Sequence, residues 1–232
     1  MSTLLGDPAK VRVYPVVHWT STKQAVTQAE LALTNGADGV FLIDMDGRVN
    51  SIKEAARLLI SSFPDKLIGG NFLALTPGEA ISHSLILGLN ATWLDNAGVT
   101  SEGIDLRGVE ATDVYHKAIE TSPHAVFAAC AFKYQKEEPD PETAARLLRL
   151  LGWVPTTSGP GTGMAAKPEK IIYLRKAIPD WYLGLASGVT PDNVQEFIPH
   201  ANCILVATGI EKSFGEFDLN KLRTLVEKTR SV

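Results

Sequence analysis

The sequence predicts a (β/α)8 TIM barrel, an eight-stranded parallel sheet closed on itself inside a ring of helices. Three observations carry the prediction. Short apolar runs recur along the chain without polar alternation, which requires burial on both faces and therefore helices all round a parallel sheet. Between these runs lie segments whose apolar residues fall at helical spacing. The 232 residues are too many for one simple sandwich and close to the roughly 250 typical of such a barrel, so residues 1–232 are expected to form one domain. An open, doubly wound sheet is the competing fold, but its first turn should carry G-x-G-x-x-G, and Trp19-Thr-Ser-Thr22 does not.

The βα unit repeats in order. Val13 to Trp19 is the first strand, and Lys23 to Thr34 a helix stopped by Gly36. Gly39 to Ile43 is the second strand, ending at Asp44; Ser51 to Ser62 is the second helix, with Ser51 placed to cap it and Glu54 to complete a capping box. Leu67 to Leu73 supplies the third strand, and Pro77 opens a helix that runs to Leu87. Ala91 to Leu94 is a short fourth strand ending at Asp95-Asn96. Ala97 to Gly108, with three glycines and mixed polarity, reads as the longest loop, before a helix at about Glu110 to Glu120. Ala125 to Phe132 is strand five, Lys133 to Asp140 a charged loop, and Pro141 to Leu150 helix five. Val154 to Thr157 is strand six, followed by Ser158-Gly-Pro-Gly-Thr-Gly163 and a helix from Pro168 to Ile178. Trp181 to Ala186 and Asn202 to Ala207 give the last two strands. Pro191 to Ile198 has room for only a short helix between them, and Asp218 to Lys228 closes the chain.

Composition narrows the function classes. With 45% hydrophobic and 21% charged residues and no apolar run near 18 residues, no membrane span is expected. The opening residues, Met1 to Lys10, lack the apolar core of a secretion signal, so the cytoplasm is the expected compartment. A formal charge of −4 without a Lys/Arg cluster argues against nucleic acid as the main partner. Cys130 and Cys203 offer no metal-ligand spacing and are expected as reduced core thiols.

Catalytic residues of a barrel sit at the C-terminal ends of its strands, which open into one shared mouth. Those positions read His18, Asp44, Asn71, Asp95 with Asn96, Lys133, Thr157 with Ser158, Ser187 and Thr208, a polar set for the ends of such apolar runs. His18 is either an imidazole suited to proton transfer at the mouth or a side chain pinned in the core by a backbone hydrogen bond. Asp44 closes an apolar run, where a carboxylate is costly unless it is paired or works; a plain turn through Asp46-Gly47-Arg48 is its alternative. Asp95 is the strongest carboxylate candidate, and Asn71 a candidate to orient a ligand beside Gly69 and Gly70, which leave room for a ligand or for a neighbour's large side chain. The two carboxylates can divide acid and base roles, or hold a magnesium ion with Asn71 or Asn96. Lys133 is placed to meet a phosphate or to form a Schiff base. The loops bearing Ser158, Gly159, Gly161 and Gly163, then Ser187 and Gly188, then Thr208 and Gly209, form a phosphate cup in which glycine lets the backbone approach an anion. Trp19 and Trp93 are either barrel core or a flat wall for a planar ring.

Gly69-Gly-Asn-Phe-Leu73, Gly88-Leu-Asn-Ala-Thr-Trp-Leu-Asp95, Thr157 to Gly163, Ser187-Gly-Val-Thr-Pro-Asp-Asn193 and Val206-Ala-Thr-Gly209 resemble the BtpA/SgcQ family, a group related to phosphate-binding β/α barrels. In that comparison Ala186 and Ala207 stand where glycine is common, and His18 matches while the proline-rich loop after it is absent. The combined expectation is an enzyme acting on a phosphorylated sugar, phosphoribosyl or nucleotide compound, by glycosidic-bond transfer or cleavage or by isomerisation. The alternative that the resemblance implies is a non-catalytic phosphometabolite-binding or assembly factor of the BtpA type. A homo-oligomer is compatible with either.

Overall fold

The computed structural model describes residues 2–230. Eight strands alternate with helices: β1 (Arg12–His18), β2 (Gly39–Ile43), β3 (Leu67–Asn71), β4 (Ala91–Leu94), β5 (Ala125–Ala129), β6 (Val154–Ser158), β7 (Gly184–Ala186) and β8 (Cys203–Val206). All pair in parallel and close into a barrel of order β1-β8-β7-β6-β5-β4-β3-β2. A short helix, Ser2–Leu5, precedes the barrel, whose own helices are α1 (Thr22–Thr34), α2 (Lys53–Ser62), α3 (Pro77–Ile86), α4 (Leu106–Ile119), α5 (Pro141–Leu150), α6 (Pro168–Ala177), α7 (Val194–Phe197) and α8 (Leu219–Arg230). The expected fold is the observed one.

Because side chains alternate across a strand, each strand feeds two cores. Tyr14 and Val16 of β1, Phe41 and Ile43 of β2, Trp93 of β4, Phe127 of β5 and Leu205 of β8 pack together inside the barrel. Their neighbours Val13, Val17, Val40, Leu42, Val126 and Ile204 pack outward against the helices. Gly69 makes room for the Phe41 ring, which a Cβ at that position would meet at 2.4 Å. The space beside Gly69 thus belongs to a neighbour's side chain and not to a ligand. For β1 to β4 this parity decides which strand-end residues reach the mouth.

Local chemistry sets most helix starts. Ser21 accepts the Gln24 N–H at 3.2 Å to cap α1. Thr76 and Glu79 form a capping box ahead of α3, with Pro77 in its first turn. Asp105 and Asp140 cap α4 and α5 through the amides of Gly108 and Thr143. The expected cap of α2 does not form: the helix begins at Lys53 without a side-chain cap, and the Ser51 hydroxyl donates instead to the Arg48 carbonyl at 2.8 Å. The turn after Asp44 has claimed it.

Two short hairpins were not legible as strands. Val99–Thr100 pairs with Gly103–Ile104, so the segment from 97 to 108 is partly ordered pairing and α4 starts at Leu106 rather than near Glu110. Glu211–Ser213 pairs with Glu216–Phe217 beyond β8. Cys130 and Cys203 are free and buried, and burial pushes both thiols up to about 12, which leaves them unreactive. Among the described residues no helix is long and apolar enough to cross a membrane.

Candidate functional site

The mouth of the barrel holds a cavity of about 240 Å³ bordered by His18, Asp95, Lys133, Ser187 and Thr208. His18 lies in phase with the inward Tyr14 and Val16, and Asp95 with the inward Ala91 and Trp93, so the period of two aims both at the axis. His18 Nδ1 lies 2.9 Å from Glu211 Oε1 on the hairpin beyond β8, and its ring stacks on Phe214 at 4.8 Å. Glu211 Oε1 also accepts the Gly215 amide at 3.0 Å. A carboxylate on Nδ1 selects the tautomer with its proton there and leaves the Nε2 lone pair for a substrate.

Asp95 accepts the amide of buried Asn71 at 3.1 Å. Burial raises its carboxyl above the usual carboxylate range, against the downward pull of the Asn71 amide and the Lys133 ammonium. Lys133 shows the reverse: burial lowers its ammonium, and Asp95 works against that shift. The Lys133 Nζ donates to Ser187 Oγ at 2.7 Å and to Thr162 Oγ1 at 3.2 Å, joining the loops after β5, β6 and β7.

The backbone around this lysine is strained. Ala131, Tyr134 and Ser187 have φ of 48°, 60° and 70°, the non-glycine residues with positive φ among those described. Such a conformation costs on the order of 1–3 kcal/mol per residue and persists where its surroundings enforce it. Lys170 does part of that, donating to the carbonyls of Ala131 at 2.5 Å and Ser158 at 2.8 Å. The hydroxyl of buried Ser158 accepts the Lys133 amide at 2.8 Å.

The glycines of the expected cup act through the protein first. A Cβ on Gly188, whose φ is +68°, would sit 2.2 Å from the backbone of Met164 and Ala165, and one on Gly209 would sit 1.8 Å from the Val189 carbonyl oxygen. Gly159 packs in the same way on the Met164 carbonyl. Gly161 and Gly163 lie in the same loop; the Gly163 amide, like those of Gly188 and Gly209, donates to no other described residue. Three loops are therefore packed backbone on backbone, with the unused donor of Gly163 at the mouth and that of Gly209 beside a neighbouring pocket lined by Thr190, Thr208 and Lys221.

Asp44 is not brought to this cavity. Phe41 and Ile43 point inward, so Asp44 is out of phase and turns toward the helix layer. Its oxygens accept Arg48 Nε at 2.9 Å, Arg48 Nη2 at 3.3 Å and the Asp46 amide at 2.9 Å. Burial pushes its carboxyl up, but the hydrogen bonds of Arg48, Ser51 and Asp46 outweigh it and hold it below the usual range. The turn through Arg48 explains this buried carboxylate, and it shares no cation site with Asp95; no group of three His, Cys, Asp or Glu placed to hold a metal occurs among the described residues. Trp19 lies under the Arg48 guanidinium at 4.9 Å, whereas Trp93 borders the mouth cavity.

A family model of N-(5'-phosphoribosyl)anthranilate isomerases matches residues 101–228, more than half of the chain. The chain belongs to this family. No curated protein matches it. Among solved structures, phosphoribosyl anthranilate isomerase from Thermus thermophilus superposes with a TM-score of 0.69 at 20% identity, over 95% of this chain and 99% of that one. The Thermotoga maritima enzyme gives 0.66 at 18%, over 96% and 100%. A third isomerase structure of the same name, holding reduced 1-(o-carboxyphenylamino)-1-deoxyribulose 5-phosphate, gives 0.62 at 19%, over 96% and 100%. At these identities the superpositions show the shared barrel.

Membership among the phosphoribosylanthranilate isomerases corrects the resemblance to BtpA/SgcQ. The segments behind that resemblance are mostly short glycine turns at strand ends, and the packing above shows why such turns recur: the loops after β6, β7 and β8 cannot touch backbone to backbone without them. The alternative of a non-catalytic binding or assembly factor is set aside by the same membership, which supports an isomerase-type enzyme. An isomerase-type enzyme handling phosphoribosyl or phosphosugar compounds, one of the expected activities, is what the family supports. Glu211 and Phe214 were missed in the sequence because Glu211-Lys-Ser213 looks like a solvated loop. Thr162 lies in the loop expected to wall the cup, where only Ser158 and the glycines were singled out.

Proposed function

We propose that this chain isomerises a 5-phosphorylated aldose derivative to the corresponding ketose derivative. The observation that carries the reading is the convergence of His18, Asp95 and Lys133 on one cavity that also takes in Gly163, Ser187 and Thr208. The relatives' names supply the reaction type: a phosphoribosyl compound on one side and a 1-deoxyribulose 5-phosphate on the other. Such a conversion opens the sugar ring, removes a proton from C2 and delivers one to C1.

Each step finds a residue. Asp95, whose raised pKa keeps its proton available nearer neutrality, protonates the ring oxygen as C1 opens. His18, held by Glu211 with Nε2 free, removes the C2 proton; the imidazolium so formed, after exchange with water, delivers a proton to C1 while the Asp95 carboxylate takes up the proton of the C2 hydroxyl. Lys133 and the Ser187 hydroxyl, with the amides of Gly163, Gly188 and Gly209, hold the phosphate at the far wall. The test is proton NMR of the purified protein with N-aryl ribosylamine 5-phosphates in deuterated buffer. Ketose formation with deuterium at C1, lost on Asp95→Asn and on His18→Gln, is the expected result. No turnover of any 5-phosphorylated ribosylamine by the parent protein would overturn the reading.

A further inference from the structure

The hairpin beyond β8 is too short to hold itself in place. Glu211–Ser213 meets Glu216–Phe217 through two residue pairs with a shift of register between them, and a two-stranded hairpin on its own is marginal in water. Closure of the barrel sets β8 beside β1, and the hairpin carries both groups that meet the His18 ring: Glu211 on Nδ1 and Phe214 against its face. Whatever anchors the hairpin therefore sets the imidazole.

Two glutamines of α1, four residues apart and so on one side of the helix, supply anchors. Gln28 Oε1 accepts the Phe217 amide at 2.8 Å, at the base of the hairpin. Gln24, half-buried, works at its tip. Its Nε2 donates to the His18 carbonyl at 3.2 Å and to the Gly215 carbonyl, while its Oε1 accepts the Thr20 amide at 3.2 Å. All three contacts ask for the same orientation of the amide group. The Gly215 N–H in turn donates to Glu211 Oε1, the oxygen that lies on His18 Nδ1. The contacts thus form a closed circuit that leaves from the His18 carbonyl and returns to its ring. Gly215 fits this circuit because its φ is +75° and a Cβ there would crowd Gln24 Nε2 at 3.1 Å and the His18 carbonyl oxygen at 3.2 Å.

On the reading of a phosphosugar isomerase given above, we infer that Gln24 is a positioning residue for proton transfer by His18. It stands outside the residues that border the mouth cavity and acts by holding Gly215 and, through it, Glu211. With the clamp closed, the carboxylate keeps the proton on Nδ1 and Nε2 stays a base. With it open, the hairpin tip lifts, Glu211 leaves the ring, and the imidazole divides between two tautomers, one of which carries its proton on Nε2 and cannot accept another from C2.

Nitrogen NMR of protein carrying isotope-labelled histidine reads the tautomer directly, with the His18 signals assigned by their loss in His18→Gln. The neutral ring of the parent is expected with its proton on Nδ1. Gln24→Met removes the clamp, and Gln24→Glu keeps an acceptor for Thr20 but turns an anion on the two carbonyls. Both should draw the two ring nitrogens toward a common shift, the mark of exchange between tautomers, whereas Gln28→Met should not. With an N-aryl ribosylamine 5-phosphate, kcat of both Gln24 variants should fall roughly three- to tenfold while KM stays within about twofold. A parent ring protonated on Nε2 would overturn the inference, as would the parent tautomer retained in either Gln24 variant, equal loss of it in Gln28→Met, or a raised KM with kcat unchanged. The tautomer is read without substrate, so absence of turnover by the parent would remove the isomerase reading and leave the clamp to stand or fall on the nitrogen shifts.

Discussion

His124 offers a quantitative test of the interior. Its ring is 1% exposed, and Nε2 lies 2.8 Å from the hydroxyl of Thr92, which in turn lies 2.7 Å from that of Ser84. Burial lowers the imidazole from 6.5 to about 4. The unfolded chain therefore takes up a proton near pH 6.5 that the folded chain refuses until about pH 4. Stability is lost as pH falls through that window, and is fully present above it. At 1.36 kcal/mol per pH unit, the loss from this one residue approaches ~3 kcal/mol. Carboxylates such as Asp44, with a lowered pKa, also lose stability in acid, so the comparison must be between proteins. His124→Gln keeps an amide able to reach Thr92 and cannot ionise. Denaturant midpoints and slopes for parent and variant at pH 7, 6, 5 and 4.5 give the difference between them. The variant should start less stable and gain on the parent by ~2–3 kcal/mol across the series. A difference constant to within about 0.5 kcal/mol would refute the assignment of a buried, neutral His124.

Asp95→Asn should lower kcat at least about 100-fold while leaving the melting temperature unchanged or slightly raised, because it removes a carboxylate whose charged form burial disfavours; retained turnover at saturating substrate would exclude Asp95 as the acid. Glu211→Gln should cost about tenfold in kcat and leave KM within about twofold, since the hydrogen bond that orients His18 loses its carboxylate; an unchanged kcat would mean that Glu211 only packs. Gly188→Ala should destabilise by ~2 kcal/mol or more, from a left-handed φ of +68° and a Cβ within 2.2 Å of backbone, seen as a lower unfolding midpoint. An unchanged midpoint would show that the loops after β6 and β7 separate freely.

Much of this could be read in advance, and the reason lies in the strands. Continuous apolar runs located all eight, and in Gly39–Ile43, Ala91–Leu94 and Pro141–Leu150 the expected bounds are the observed ones. Where the runs overshoot, as at Leu67 to Leu73 or Ala125 to Phe132, the flanking residues Phe72 and Phe132 are buried without pairing, so hydrophobicity alone could not place the end. Among the candidate residues the alternation of side chains separates Asp95 from Asp44: counting in twos from Trp93 reaches Asp95, but counting in twos from Phe41 passes Asp44 by. That count needs one inward residue per strand, which the barrel supplies and the bare sequence does not. Glu211 lies 193 positions from His18 in a polar stretch, and no local pattern links the two.

The backbone contacts of Gly159, Gly188 and Gly209 also bear on how this barrel can be re-engineered. The loops after β6, β7 and β8 register against one another like cut stones, so a graft that replaced one alone would leave its neighbours with no matching surface. Residues 159–209 are the smallest transplantable unit that keeps those contacts. Met45 and Leu73 stand outside that masonry as half-exposed side chains on the cavity, and a library at those two sites varies the cavity wall while the packed loops are left alone.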